Sequence, residues 1–253
     1  MPVNRKIFKI PFHKGSQPQW LCPTCNTGLL KGVKSSFVRA ETNKSNKEHS
    51  HIEWEPEWIR YSYACQFKCT NPACEEAVFN VGVGSVDSGL DYDDNGQPSG
   101  QTYFDIFQPR FFIPHLNIIR IPDKTPDSIK SSLHNSFELF FASPSASANY
   151  LRIALEQLLD HFKIKKFETV NGRKHIISLH KRISLVPSKL SEFKELFYAI
   201  KWLGNDASHI GGLVVDDVMD AYDIFESILD EVFDHKTKET KRLARKINKR
   251  KGV

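Results

Sequence analysis

Five cysteines, at positions 22, 25, 65, 69 and 74, all fall in the first third of this 253-residue chain, and none follows. An odd number of thiols in two close pairs reads as metal ligation rather than a disulfide framework. Cys22-Pro-Thr-Cys25 has the spacing of a tight metal-binding knuckle. Cys69-Thr-Asn-Pro-Ala-Cys74 has four intervening residues and an Asn-Pro turn. Two such knuckles supply four soft thiolates, the donor set of a structural Zn2+ site, with no coordination position left open for a substrate. The expectation is therefore a structural zinc at Cys22, Cys25, Cys69 and Cys74, inside a zinc ribbon that carries an insertion. Cys65 is the spare; it could replace Cys69 at a wider Cys-x8-Cys spacing. The other reading is five ordinary thiols.

Residues 1–20 look extended and irregular. Short runs at 59–65, 77–83 and 104–107 are aromatic or β-branched and bounded by turn residues, as strands are. The polar stretches 42–50 and 87–101 read as exposed loops. Within the second, Asp91-Tyr-Asp93-Asp-Asn95-Gly96 matches the first half of a calcium loop. It lacks the closing Glu, since Thr102 stands there, so a solvated hairpin loop is expected instead.

Near residue 122 the apolar period changes from two to 3.6. Thr125-Pro126-Asp127 reads as a helix start, followed by the stripe Ile129, Leu133, Phe137, Phe140 and Phe141. Ser143-Pro144 breaks the pattern. Further helices are expected at about 147–162, at 189–203, and from an Asp216 cap through Val232. Residues 165–180, with Asn171-Gly172 in their middle, read as a small hairpin or a loop. The predicted class is α+β: an N-terminal β-rich zinc ribbon over 1–121, an antiparallel bundle of about four helices over 122–235, and a basic tail over 236–253.

Two motifs in the helical part, Arg152-Ile-Ala-Leu-Glu156 and Gly204-Asn205-Asp-Ala-Ser-His209, resemble those of a widespread bacterial family of unknown function. That family is often found behind a Cys-x2-Cys ribbon or attached to restriction and defence enzymes. It is similar to the HEPN superfamily of four-helix domains, whose active members are metal-independent ribonucleases. The resemblance implies an HEPN-like bundle, a homodimer in which two motifs meet, and a partner defence enzyme. In the ribonuclease version His209 acts as general acid/base with Asn205, and Arg152 supplies charge for the phosphate. The chain departs from the pattern, because Gly204 rather than Arg precedes Asn205. Arg152 also stands four residues from Glu156, where the two can pair. His209 is otherwise a cap or a nucleotide contact.

Residues 236–253 hold nine Lys or Arg against the single acid Glu239, a local charge of +8. The chain's net charge of +5 leaves the rest at −3, so basic character is confined to this tail. Lys241, Arg242, Arg245, Lys246, Lys249 and Arg250 suit the phosphate backbone of RNA or DNA, with salt-sensitive and sequence-independent affinity. A solvated tail or a protein contact are the other readings. No run of 18 apolar residues occurs, and the opening MPVNRKIFKIPFHK has no hydrophobic leader core. The expectation is a cytoplasmic protein with no membrane contact. Its function is then a zinc-containing nucleic-acid- or nucleotide-binding accessory protein. The alternatives are a metal-independent ribonuclease and a protein-interaction module.

Overall fold

The computed structural model describes residues 4–93, 95–206, 214–234 and 236–251. They divide into two compact units, residues 4–116 and the chain from Asn117 onward. The class is α+β.

The first unit is built on a curled antiparallel sheet, a half-barrel over residues 30–113. A short helix, α1 (Arg5–Lys9), precedes it. Strand β1 (Leu30–Gly32) and strand β2 (Val38–Glu41) both pair with β3 (Arg60–Cys69), β1 at its far end and β2 nearer its start. Between β2 and β3 lies helix α2 (Asn43–Glu48). Strand β3 then pairs with β4 (Ala77–Tyr92), and β4 turns back into β5 (Pro98–Ile113). Alternation along β3 places Tyr63, Cys65, Phe67 and Cys69 on one buried face. Aromatic rings fill that face. Trp20 meets Phe12, Phe67 and Phe112 edge-on at 5.0–5.8 Å, and its indole N–H donates to the Ile7 carbonyl at 2.7 Å.

The predicted zinc ribbon followed by an HEPN-like bundle of about four helices is corrected by this architecture. A ribbon closes short hairpins over its ion because it has no sufficient core of its own. Here β4 and β5 are 16 residues each, and the sheet closes over seven buried or half-buried aromatic rings instead. Most of the supposed loop 87–101 is the outer ends of those two strands, polar because water reaches both sides of them, and the expected hairpin turn is confined to the residues between Tyr92 and Pro98. The supposed loop 42–50 holds α2, where the Thr42 hydroxyl accepts from the Ser45 amide. Residues 5–9 are helical where extended chain was expected.

In the second unit, α3 (Asp127–Leu139) and α4 (Pro144–His161) form a helical hairpin. Ser143-Pro144 starts α4 rather than ending the pattern: the Ser143 hydroxyl accepts from the Ala146 amide and Pro144 takes the first turn. Strands β6 (Phe167–Val170) and β7 (Arg173–Ile176) flank a turn in which Asn171 and Gly172 both have positive φ, 51° and 75°. Helix α5 (Leu179–Ser184), absent from the sequence reading, follows. Beyond it come α6 (Lys194–Asp206), α7 (Val215–Leu229) and α8 (Lys236–Lys251). Helix α4 is central, packing against α3, α6 and α7. The N-cap of helix α7 is Val214, not Asp216; the Val214 amide donates to the Asp217 carboxylate. A π-turn at Asp230–Asp234 adds residues to the next turn, so Phe233 is buried where a 3.6 period predicts Val232.

Two polar contacts lock this unit. Arg182 on α5 is 2% exposed and pairs with Asp160 at the end of α4. The Tyr222 hydroxyl on α7 lies 2.6 Å from the Ser136 hydroxyl and 2.9 Å from that of Ser147, tying α3, α4 and α7 together. Tyr222→Phe is expected to cost about 1–2 kcal/mol in urea unfolding, the usual effect of taking one partner from a buried hydrogen-bond cluster. Among the described residues no helix is long and apolar enough to cross a membrane.

Candidate metal centre

Both cysteine pairs are delivered by turns hung from the sheet. The Trp20 carbonyl accepts from the Leu30 amide at 2.8 Å, and the Gly28 carbonyl accepts from the Cys22 amide at 2.8 Å. This pairing folds residues 22–28 back over β1, and the anchoring of Trp20 in the core holds Cys22 buried beside it. Cys69 ends β3 directly opposite Leu30. Past it, Asn71 builds the second turn: its side-chain oxygen accepts from the Ala73 amide, and its carbonyl from the amides of Cys74 and Glu75, all at 3.0 Å. The residue after each second cysteine is left-handed, Asn26 at φ 53° and Glu75 at φ 50°. In each loop that reversal turns the chain away immediately after a sulfur has been presented.

The four Sγ atoms of Cys22, Cys25, Cys69 and Cys74 lie within 4.8 Å of one another. Cys22 and Cys74 are 3.8 Å apart, Cys25 and Cys69 3.7 Å. Four sulfurs at the ordinary zinc–thiolate distance from one centre stand about 3.8 Å apart along each tetrahedral edge, and these two pairs have that separation. The same separations are far too long for disulfides, and all four thiols are free. Among the described residues this is the group of cysteine, histidine or acidic side chains placed to hold a metal.

Backbone and hydroxyl donors already face two of the sulfurs. Cys25 receives the Gly28 amide at 3.3 Å, and Cys69 receives the Asn71 amide at 3.4 Å. Hydrogen bonds from the Thr27 hydroxyl and then from the Gly28 amide draw the Cys25 thiol down to about 5. Cys69 is pushed up to about 12, chiefly by burial. A cation at the centre reverses that second shift, because it stabilises every thiolate at once.

Sequence reasoning named the four cysteines that the fold brings together but missed what seats them. Gly28 is the main omission. A Cβ built there would lie 2.4 Å from the Cys69 sulfur and 2.9 Å from Asn71, so only hydrogen fits between loop and ligand. Side chains also bind loop to loop: Asn71 donates to the Thr27 hydroxyl at 3.3 Å, and the Thr24 hydroxyl to Glu76 at 2.7 Å. The open question over Cys65 is answered by the strand. It lies four residues before Cys69, roughly 13 Å along β3. There its thiol faces the Asn80 side chain at 3.9 Å, and burial pushes it up to about 12. In the segment expected to be a hairpin loop rather than a calcium site, Asp93 spends one carboxylate oxygen on the amides of Asn95 and Gln97, both at 2.9 Å, and so shapes a turn.

In the helical unit Arg152 pairs with Glu156 at 3.5 Å on the surface of α4. His209 and the side chain of Asn205 lie outside the described residues. So does the side chain of Lys241, whereas Arg242, Arg245, Lys246, Lys249 and Arg250 are exposed along α8.

No curated protein and no solved structure matches the chain. Its two halves are instead similar to two families: residues 10–112 match a domain of unknown function, DUF8608, and residues 134–250 match another, DUF4145.

Proposed function

We propose that this is a zinc-containing nucleic-acid-binding protein in which the metal is structural and the cationic helix α8 meets the phosphate backbone. The zinc reading is carried by four sulfurs that converge from two loops to within 4.8 Å of one another, two pairs of them at the separation of a tetrahedral edge. Four thiolates leave no open coordination position, so the ion's work is to pin residues 22–28 to the end of β3. A cytoplasmic setting suits such a site, since thiolates persist in a reducing compartment.

The nucleic-acid reading rests on α8. Five exposed cations are described within nine residues, from Arg242 to Arg250, in a segment that holds no aromatic residue for base stacking. Contacts of this kind are electrostatic and indifferent to sequence. In gel shifts at about 50 mM salt the full chain should retard RNA or DNA, and a chain ending at Asp234 should bind at least about tenfold more weakly. If about three phosphates are neutralised, affinity falls roughly 40-fold between 50 and 200 mM salt. Equal retardation by both chains would remove α8 as the contact.

A further inference from the structure

Beyond Ser85, the last β4 residue paired to β3, strands β4 and β5 continue as a two-stranded ribbon over residues 86–105. One face of this ribbon carries Leu90, Tyr92 and Tyr103, exposed by 60, 57 and 45%. Helix α8 has an unpartnered apolar stripe of its own: Leu243 and Ile247, one turn apart, are 58 and 49% exposed. Two uncovered apolar faces on one chain are more surface than isolated exposed residues explain.

Charge says what covers them. From residue 69 to residue 109 the sequence holds seven acids and no Lys, Arg or His. Every charge on the ribbon is therefore negative, which makes it a poor seat for nucleic acid and a good one for a cationic helix. On α8, Arg242, Lys246 and Arg250 form a row at four-residue spacing beside the Leu243–Ile247 stripe, about 12 Å long. On the ribbon, Asp87 and Asp91 share a strand face, about 13 Å apart. The lengths also agree: α8 runs about 24 Å, and the ribbon from Val86 to Tyr92 about 20 Å.

We infer that α8 of one copy lies along the β4–β5 ribbon of a second copy. Leu243 and Ile247 pack on Leu90, Tyr92 and Tyr103, and the Arg242–Lys246–Arg250 row reaches round the ribbon edge to Asp87 and Asp91. Exchange of the same contact in both directions closes a two-fold dimer. Arg245 and Lys249, on the other side of the helix, stay available to phosphate. The inference needs neither the metal nor nucleic acid, so it stands or falls apart from the reading above.

Analytical ultracentrifugation of the full chain tests it, with circular dichroism to confirm that each variant is folded. The wild type should sediment as a dimer at about 50 mM salt and shift toward monomer as screening shortens the range of the charges. D87K/D91K should be monomeric at low salt, and adding R242E/R250E to it should restore the dimer. A wild type that is monomeric at low salt overturns the inference, as does a D87K/D91K chain that remains dimeric. Failure of the fourfold charge swap to restore association overturns it too.

Discussion

Cys69→Ser is expected to release the metal and to lower stability more than any other single ligand change, because Cys69 joins both the sulfur cage and the sheet. It is 5% exposed, sits opposite Leu30 at the end of β3, and receives an amide from the second turn. Serine offers a harder and poorer donor for zinc. With metal held near a thousandfold its dissociation constant, losing the bound ion removes about 4 kcal/mol. Elemental analysis should read one metal per wild-type chain and less than a tenth of that in the variant. Urea unfolding supplies a second check: a chelator should bring the wild type down to the variant and leave the variant unmoved. Cys65→Ser is the control, since Cys65 faces Asn80, and it should keep its ion. A Cys69→Ser chain that still carries one equivalent of metal would refute the assigned ligand set.

The second large effect comes from the smallest change. Gly28→Ala places a methyl 2.4 Å from the Cys69 sulfur and 2.9 Å from the Asn71 backbone nitrogen, and real Cβ atoms do not come so close. Gly28 does not lie in the left-handed region, so the penalty is steric and not conformational. The loop or the sulfur must move by several tenths of an ångström, at a cost of about 1–3 kcal/mol. Tetrahedral geometry at Cys69 is lost with it. Competition with a coloured chelator should show metal affinity reduced at least about tenfold. Gly15→Ala, where nothing lies within 4 Å of the added methyl, should match the wild type on both measurements. Equal metal retention by the two alanine variants would mean that the first loop stands farther from Cys69.

The difference between these two predictions marks how far reading the residues could go. Cys69 announces itself through chemistry, as one of two spaced pairs of a residue that seldom clusters otherwise. Gly28 carries no such signal. Its role depends on the approach of residues 69–71, more than 40 positions away, and nothing local in Asn26-Thr-Gly28 encodes that approach.

The same division runs through the fold. Apolar periodicity in α3, α4, α6 and α7 was legible from the sequence, because a helix face is set by neighbours three and four residues apart. Ile129, Leu133, Leu151, Leu158, Phe197 and Phe225 are all buried as that pattern requires. Where the local rule changes, the reading slips, as at the π-turn that buries Phe233 in place of Val232. The strands were harder to read. Their cores at 60–69 and 77–83 are apolar and alternate, but the solvated half of the β4–β5 ribbon has a loop's composition.

By itself, then, the order of residues determined which four cysteines could converge, the principal helices with their buried stripes, and the excess of positive over negative charge in the last 18 positions. Tertiary structure alone decided that the strands make one curled sheet around Trp20, Phe67 and Phe107, that Cys65 stands apart from the four-sulfur cluster, and that Gly28 is the spacer under Cys69. The physical reason is range. Spacing, period and charge are properties of neighbours along the chain, whereas strand register, steric clearance and ring packing arise between residues that meet only once the chain has folded.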